Sequence, residues 1–94
     1  MGKTKWVKPD ERKWDKVSVE DRFEKILATN GFIITGIREH LSFTEYLIQK
    51  DGIEQEYRLY LNSSTNANMH YRSFLQFYQT RVEYEAIKKA TKHS

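Results

Sequence analysis

The side chains that could bind a metal or act as acid and base are few. The three histidines, His40, His70 and His93, fall in a turn, near a helix start and at the C-terminal end, and we interpret them as surface residues. None has the His-Glu-x-x-His spacing that places two metal ligands on one helical face. The chain has no cysteine, which excludes disulfides, thiolate zinc sites and a cysteine nucleophile. We expect no metal site and no cofactor.

The other patterns of catalytic chemistry lack the groups that would complete them. The serines lie in a cap, a turn and a connector, without the base and oxyanion donors that a serine nucleophile requires. Tyr84 and Lys88 have the Tyr-x-x-x-Lys spacing that serves proton transfer in some nicotinamide enzymes, but the glycines are scattered singly and form no phosphate-binding loop. We predict that the protein is not an enzyme.

The basic side chains are concentrated at the two ends of the chain. Residues 1–16 carry six Lys or Arg against three acids, and residues 86–94 carry three lysines and no acid. The body between them has seven basic and ten acidic side chains. Lysine-bearing ends can contact phosphates and release counterions, which favours nucleic acid as a ligand. The acidic body argues against a broad phosphate footprint.

The chain divides into a basic arm with two tryptophans (residues 1–17), one domain (18–90) and a basic tail (91–94). Its 94 residues are enough for one hydrophobic core. The first residues are charged rather than apolar, and no segment reaches the roughly 18 to 20 apolar residues of a membrane span. We therefore expect a cytoplasmic protein that does not associate with membranes.

Hydrophobic periodicity predicts a helix, three strands and a second helix. Ser18-Val19-Glu20-Asp21 fits a helix-capping box, and Asp51-Gly52 between two apolar segments is a strong signal for a two-residue hairpin. The predicted helices cover residues 19–29 and 69–90, and the predicted strands cover residues 32–37, 43–50 and 53–62. The predicted fold is α+β, in the order αβββα, with both helices packed on one face of a three-stranded antiparallel sheet.

The expected hairpin registers divide the sheet into two faces, because side chains alternate along a strand. Asp51-Gly52 as the loop places Glu45 opposite Arg58 and Phe43 opposite Tyr60, and a turn at His40-Leu41 places Ile37 opposite Thr44. The core face then carries Ile33, Thr35, Ile37, Thr44, Tyr46, Ile48, Tyr57 and Leu59. The second face carries Phe32, Ile34, Arg38, Phe43, Glu45, Leu47, Glu56, Arg58 and Tyr60. This second face is too aromatic to be only a solvated surface.

Two binding hypotheses use the second face. Rings and guanidinium planes can stack on nucleobases while lysines of the arm contact phosphates. Tyr, Trp, Phe and Arg are equally typical of protein interfaces, and an edge strand could pair with a partner strand or with another copy of the chain. The candidate binding residues are Phe43, Tyr60, Arg58, Arg38, Trp6, Trp14, Lys3, Lys5, Lys8 and Lys13. We favour a non-catalytic accessory protein that binds nucleic acid; the alternative is a protein-interaction module such as a small regulator, inhibitor or assembly subunit.

A third possibility is that the arm folds under the sheet. Trp6, Val7 and Trp14 would then cover Phe32, Ile34, Phe43 and Leu47, and no special surface would remain on that side.

The predicted order of elements is similar to that of double-stranded-RNA-binding domains, in topology only. The Gly-Pro-x-His loop and the Lys-Lys-x-Ala-Lys helix start of that family are absent, and the second predicted helix begins around Asn68-Met69-His70-Tyr71-Arg72 instead. The resemblance therefore assigns no site residue.

Overall fold

The predicted order of helices and strands is confirmed. A computed structural model describes residues 5–61 and 64–92. After a 3-10 turn at Pro9–Glu11, the elements are helix α1 (Ser18–Thr29), strands β1 (Ile33–Glu39), β2 (Phe43–Lys50) and β3 (Ile53–Tyr60), and helix α2 (Ala67–Lys92). The strands form an antiparallel sheet in the order β1-β2-β3, so β2 is central. α2 runs through Lys92, so residues 91 and 92 belong to the helix rather than to a separate tail.

The hydrophobic core lies between the helices and one face of the sheet. Phe23 and Leu27 of α1 and Phe74 and Tyr78 of α2 are buried at the spacing of one helical stripe each. The sheet contributes large buried side chains from all three strands and from the residue before β1: Phe32, Ile37, Tyr46, Ile48, Tyr57 and Leu59. Phe32 packs edge-on against Phe74 and Tyr78, with ring centroids 5.1 and 5.0 Å away.

The β2–β3 hairpin has the predicted register. Asp51 and Gly52 have φ angles of 53° and 79°, the left-handed values that a two-residue turn requires. Glu45 therefore pairs with Arg58, and Phe43 pairs with Tyr60.

The predicted β1–β2 register is wrong in two ways. His40 donates its backbone N–H to the carbonyl of Phe43 at 2.9 Å, so the turn is one residue later than expected and Ile37 pairs with Tyr46 instead of Thr44. The register also shifts between Ile34 and Gly36, where the strand bulges. The later turn moves each β1–β2 pairing by two residues, so the side chains stay on their predicted faces. The bulge adds a single residue, so the residues of β1 that precede it point to the face opposite the predicted one.

The bulge exists because the apolar residues of this segment are spaced two and then three apart. Phe32, Ile34 and Ile37 can all face the helices only if one additional residue lies between the last two. Phe32 and Ile34 thus pack with the core, contrary to the predicted faces, and Ile33 is 63% exposed. Thr35 also leaves the core face, and its hydroxyl donates to Oε2 of Glu54 at 2.7 Å.

A buried carboxylate connects α1 to the central strand. Val17 precedes α1 and donates its backbone N–H to Oε1 of Glu20 at 2.9 Å, and Thr44 donates its hydroxyl to Oε2 at 2.8 Å. Only the carboxylate half of the predicted capping box is present, and Glu20 provides it rather than Asp21. The side chain therefore satisfies an N-terminal helix amide and a buried hydroxyl at once.

α2 is longer than the sheet that it covers. Its 26 residues span about 39 Å, whereas an eight-residue strand spans about 27 Å. Helical spacing predicts Val82 within the buried stripe of this helix and Tyr84 and Ile87 as its extension, but all three are exposed. His70, expected at the surface, is buried near the start of the helix, where Nδ1 lies 2.7 Å from the hydroxyl of Tyr57.

The arm is attached to the domain along the outer edge of β1. Val7 and Ile37 exchange backbone hydrogen bonds of 2.9 and 2.7 Å. Nη2 of Arg12 lies 2.5 Å from Oε2 of Glu24, which also accepts the hydroxyl of Tyr46 at 2.8 Å. Arg12 therefore joins the arm to both α1 and β2.

Replacing Glu20 should destabilise the fold, because Glu20→Ala leaves the Val17 amide and the buried Thr44 hydroxyl without their acceptor. We expect a loss of about 2 to 3 kcal/mol in the free energy of unfolding, measured by urea denaturation. The exposed change Glu83→Ala should cost less than about 0.5 kcal/mol. Equal losses in the two variants would contradict the structural role of Glu20.

Candidate functional site

Aromatic and cationic side chains surround one carboxylate on the face of the sheet opposite the helices. Glu45 projects from the central strand and is only 4% exposed. We call the surrounding group the outer-face cluster, and its members are Trp6, Arg38, His40, Phe43, Arg58 and Tyr60. The strand register positions it, because Arg38 and Arg58 are the cross-strand neighbours of Glu45 on the two sides.

Hydrogen-bond donors from β1, the β1–β2 turn and β3 compensate the charge of Glu45. Nε and Nη2 of Arg38 lie 2.9 and 2.8 Å from Oε1, and Nε2 of His40 lies 2.5 Å from the same oxygen. Nε of Arg58 lies 3.5 Å from Oε2. Burial alone would raise the pKa of Glu45, but the hydrogen bonds from Arg38 and His40 outweigh it and hold the pKa below its ordinary value. Glu45 is therefore a fixed anion at neutral pH.

The rings of the cluster form a contiguous series at one end of the sheet. The imidazole of His40 stacks on Phe43 with centroids 4.4 Å apart and planes inclined by 21°. Phe43 in turn contacts Tyr60 at 5.2 Å, and the guanidinium carbon of Arg58 lies 5.1 Å from the Phe43 centroid. Tyr60 is 44% exposed and the Arg58 side chain is 60% exposed. A planar ligand could therefore reach both side chains from solvent.

Trp6 brings the arm onto the same face. A β-carbon placed on Gly36 would lie 3.3 Å from Cε3 of Trp6 and 3.1 Å from Cδ1 of Leu47, so the indole occupies the space that a side chain would otherwise take. The guanidinium carbon of Arg38 lies 4.3 Å from the centroid of Trp6. Arg38 thus links the indole to the Glu45 carboxylate.

The structure brings together five of the ten predicted binding residues: Trp6, Arg38, Phe43, Arg58 and Tyr60. Lys5, Lys8 and Lys13 are exposed on the arm. Trp14 packs against the hydrophobic core cluster, with the guanidinium of Arg12 5.4 Å from its ring centre. Trp14 is therefore better explained as an anchor of the arm than as a surface ring. Lys3 lies outside the described residues.

The arm covers only part of the second face. The helices, rather than the arm, cover Phe32 and Ile34, because the bulge turns these side chains to the core. Trp6 covers Gly36, whereas the contacts of Phe43 are with His40, Arg58 and Tyr60. The cluster therefore retains an exposed end.

Sequence reasoning missed the roles of His40 and Glu45. His40 was placed in the turn itself, but the actual turn lies one residue later, which puts its ring over Phe43 and Glu45. A signal was available for Glu45: an acidic residue in a central strand, flanked across the sheet by arginine, predicts an ion-paired centre.

Neither a metal centre nor a membrane span is found in the described part of the chain. No group of three or more His, Asp or Glu side chains is arranged there to hold a metal ion. None of the helices in the same residues combines the length and apolarity needed to cross a bilayer.

Comparisons of the chain with protein-family models, curated proteins and solved structures give no match. Inferences about function therefore depend on the geometry of the outer face.

The Glu45 ion pairs should make stability depend on pH in the acid range. The pKa of Glu45 is lowered on folding, so ionised Glu45 stabilises the folded state at pH values above its ordinary pKa of 4.5. This stabilisation is lost as pH falls through the folded-state pKa. We expect Glu45→Gln to lose about 1 to 3 kcal/mol of unfolding free energy at pH 7, with the difference from wild type shrinking as pH falls below 4.5. Urea denaturation between pH 3 and pH 7 measures this, with Glu54→Gln as the exposed control. A difference independent of pH would contradict it.

Proposed function

We propose that the protein is a non-catalytic module that binds single-stranded nucleic acid on the outer-face cluster. The observation that carries the proposal is the exposed end of the ring series, where Phe43, Tyr60 and Arg58 lie side by side. Stacking of bases on aromatic rings and guanidinium planes accepts any base, because every base has a π face. Each stacked base contributes about 1 to 3 kcal/mol.

A single strand fits this surface better than a duplex. The cluster offers ring faces, and bases present theirs only when they are unstacked from a helix. The body of the domain, residues 17–85, has more acidic than basic side chains, which opposes the long phosphate contacts of duplex binding.

The lysines of the arm provide the phosphate contacts in this proposal. Trp6 and Val7 attach the start of the arm beside β1 and Arg38. Lys5 and Lys8 flank these two residues and are exposed. Lys13 is exposed further along the arm. A strand that stacks on Phe43 and Tyr60 can continue over Arg38 toward these ammonium groups. The affinity for nucleic acid should therefore have one contribution from base stacking and a second, salt-dependent contribution from the phosphate contacts.

Changes to the stacking residues should weaken binding without affecting the fold. With a fluorescent oligonucleotide of about ten bases, DNA or RNA, we expect Phe43→Ala to raise the dissociation constant by about 5- to 100-fold in anisotropy titrations. Ile33→Ala is the matched control, since it removes an exposed apolar side chain from the same face away from the cluster. Comparable losses from both variants, or no binding by the wild type, would contradict the proposal.

The arm should account for the salt dependence. Replacing Lys5, Lys8 and Lys13 together by alanine should reduce the slope of log affinity against log salt by about 2, at roughly 0.7 per phosphate contact on a single strand. An unchanged slope would show that the lysines of the arm do not contact the phosphates.

A protein ligand on the same face is the alternative, favoured by the exposed Arg58 and Tyr60 around a desolvated centre. It predicts no oligonucleotide binding by the wild type and a protein complex that depends on Phe43 but weakly on salt.

A further inference from the structure

The two edges of the sheet differ in how they are protected. The outer edge of β1 is bridged by Val7, whereas β3 pairs with β2 on one side and, within residues 5–61 and 64–92, with no strand or bridge on the other. An unpaired strand edge presents a row of backbone donors and acceptors that can pair with another chain. The free edge of β3 is therefore a potential docking surface.

The residues that face the free edge follow from the hairpin register. Leu61 donates its N–H to Ser42 at 3.0 Å, and Lys50 pairs with Ile53 around the two-residue loop, so the odd-numbered residues of β3 direct their backbone groups to β2. The even-numbered residues direct theirs outward, and their side chains share the outer face: Glu54, Glu56, Arg58 and Tyr60. This series is acidic at its start and basic near its end.

We propose that two copies of this chain pair through β3, antiparallel, about a two-fold axis at Tyr57. Outward-facing residues then pair with outward-facing residues, as the hydrogen-bond pattern requires. Glu56 of each copy lies opposite Arg58 of the other, and Glu54 lies opposite Tyr60. The symmetry produces the Glu–Arg pair twice, so the strand is complementary in charge to its own reversed copy.

Neighbouring registers are less favourable on charge. An axis at Glu56 also places Glu54 opposite Arg58 twice, but it sets the two Glu56 carboxylates opposite each other. An axis at Arg58 sets two guanidinium groups opposite each other. An axis at Gln55 places Glu54 opposite Glu56. Like charges directly opposite each other destabilise a strand pair, so the axis at Tyr57 is selected.

The surface beside the free edge supports the same partner. A groove of about 460 Å³ lies between β3 and α2, lined by residues that include Tyr57, Ser73 and Phe77. Phe77 is 56% exposed, although its ring lies only 6.5 Å from that of Tyr57. The two-fold axis would therefore bring Phe77 close to its counterpart in the second copy.

The exposed apolar side chains of α2 continue this surface. Three further apolar residues of α2 are exposed: Met69 (50%), Tyr84 (56%) and Ile87 (66%). In the order Met69, Phe77, Tyr84 and Ile87, successive residues are eight, seven and three positions apart, so all four lie on one side of the helix. Around an axis near Phe77, α2 of the second copy runs antiparallel, and its Tyr84 comes level with Met69 of the first. Burial of a helix stripe next to the strand pair supplies the apolar area that strand pairing alone lacks.

A local bond at Glu56 must open for the strands to pair. Nε2 of Gln55 donates to the outward carbonyl of Glu56 at 3.0 Å. A backbone N–H of the second copy would replace this donor, so the carbonyl remains satisfied.

Sedimentation analysis of the full chain tests the pairing. We expect concentration-dependent dimers below about 1 mM, and Glu56→Arg should weaken them at least about tenfold, because arginine then faces arginine twice. Glu54→Arg makes the same change in net charge at a position opposite Tyr60, so it should alter the dissociation constant by less than about threefold. A wild type that stays monomeric, or equal effects of the two variants, would overturn the proposal.

Cysteine cross-linking tests the register, since the native chain has no cysteine. Glu56→Cys protein mixed with Arg58→Cys protein should form a mixed disulfide dimer on mild oxidation, because opposed residues have Cα atoms about 5.5 Å apart. Either protein alone should cross-link far less, since its two cysteines are diagonal. Efficient self-linking of Glu56→Cys alone would overturn the axis at Tyr57. Neither experiment involves nucleic acid, so the outcome is independent of the proposed function.

Discussion

The central strand carries a buried carboxylate on the face opposite the helices, and this constraint determines what its neighbours contribute. Thr44, Tyr46 and Ile48 face the helices, and Glu45 lies on the other side with almost no exposure. A buried carboxylate is costly unless cations and hydrogen-bond donors reach it. Arg38, His40 and Arg58 meet this requirement from three different segments, and each of these side chains also lies against an aromatic ring. The outer-face cluster is thus a consequence of one acidic residue in the middle of the sheet.

The parts of the fold that depend on local chemistry could be predicted from the sequence. Asp51-Gly52 allows one compact turn, and that turn fixes the pairing of Glu45 with Arg58 and of Phe43 with Tyr60. The face that carries these four residues was therefore assigned correctly. The remaining elements of the candidate site depend on the less constrained β1–β2 turn.

The sequence predictions failed where packing against the helices overrides the regular alternation of side chains along a strand. Regular alternation along β1 would leave Phe32 and Ile34 on the outer face, while Ile37 faces the core. The two helices need all three side chains, so the strand bulges instead. Likewise, the apolar residues of α2 have a helical period throughout, but periodicity does not indicate where the sheet beneath the helix ends. Tyr84 and Ile87 are exposed for that reason.

The arm and the outer-face cluster depend on each other through Arg38. Its guanidinium lies between the indole of Trp6 and the carboxylate of Glu45, so each contact holds the Arg38 side chain in the position that the other contact requires. Trp6 can lie there because Gly36 has no side chain and because Val7 and Arg12 hold the arm against β1 and α1. The same attachment bridges the outer edge of β1, whereas β3 has no strand or bridge on its outer side within residues 5–61 and 64–92. The docking of residues 5–17 therefore determines both the contacts of Arg38 on the outer face and the protection of the β1 edge.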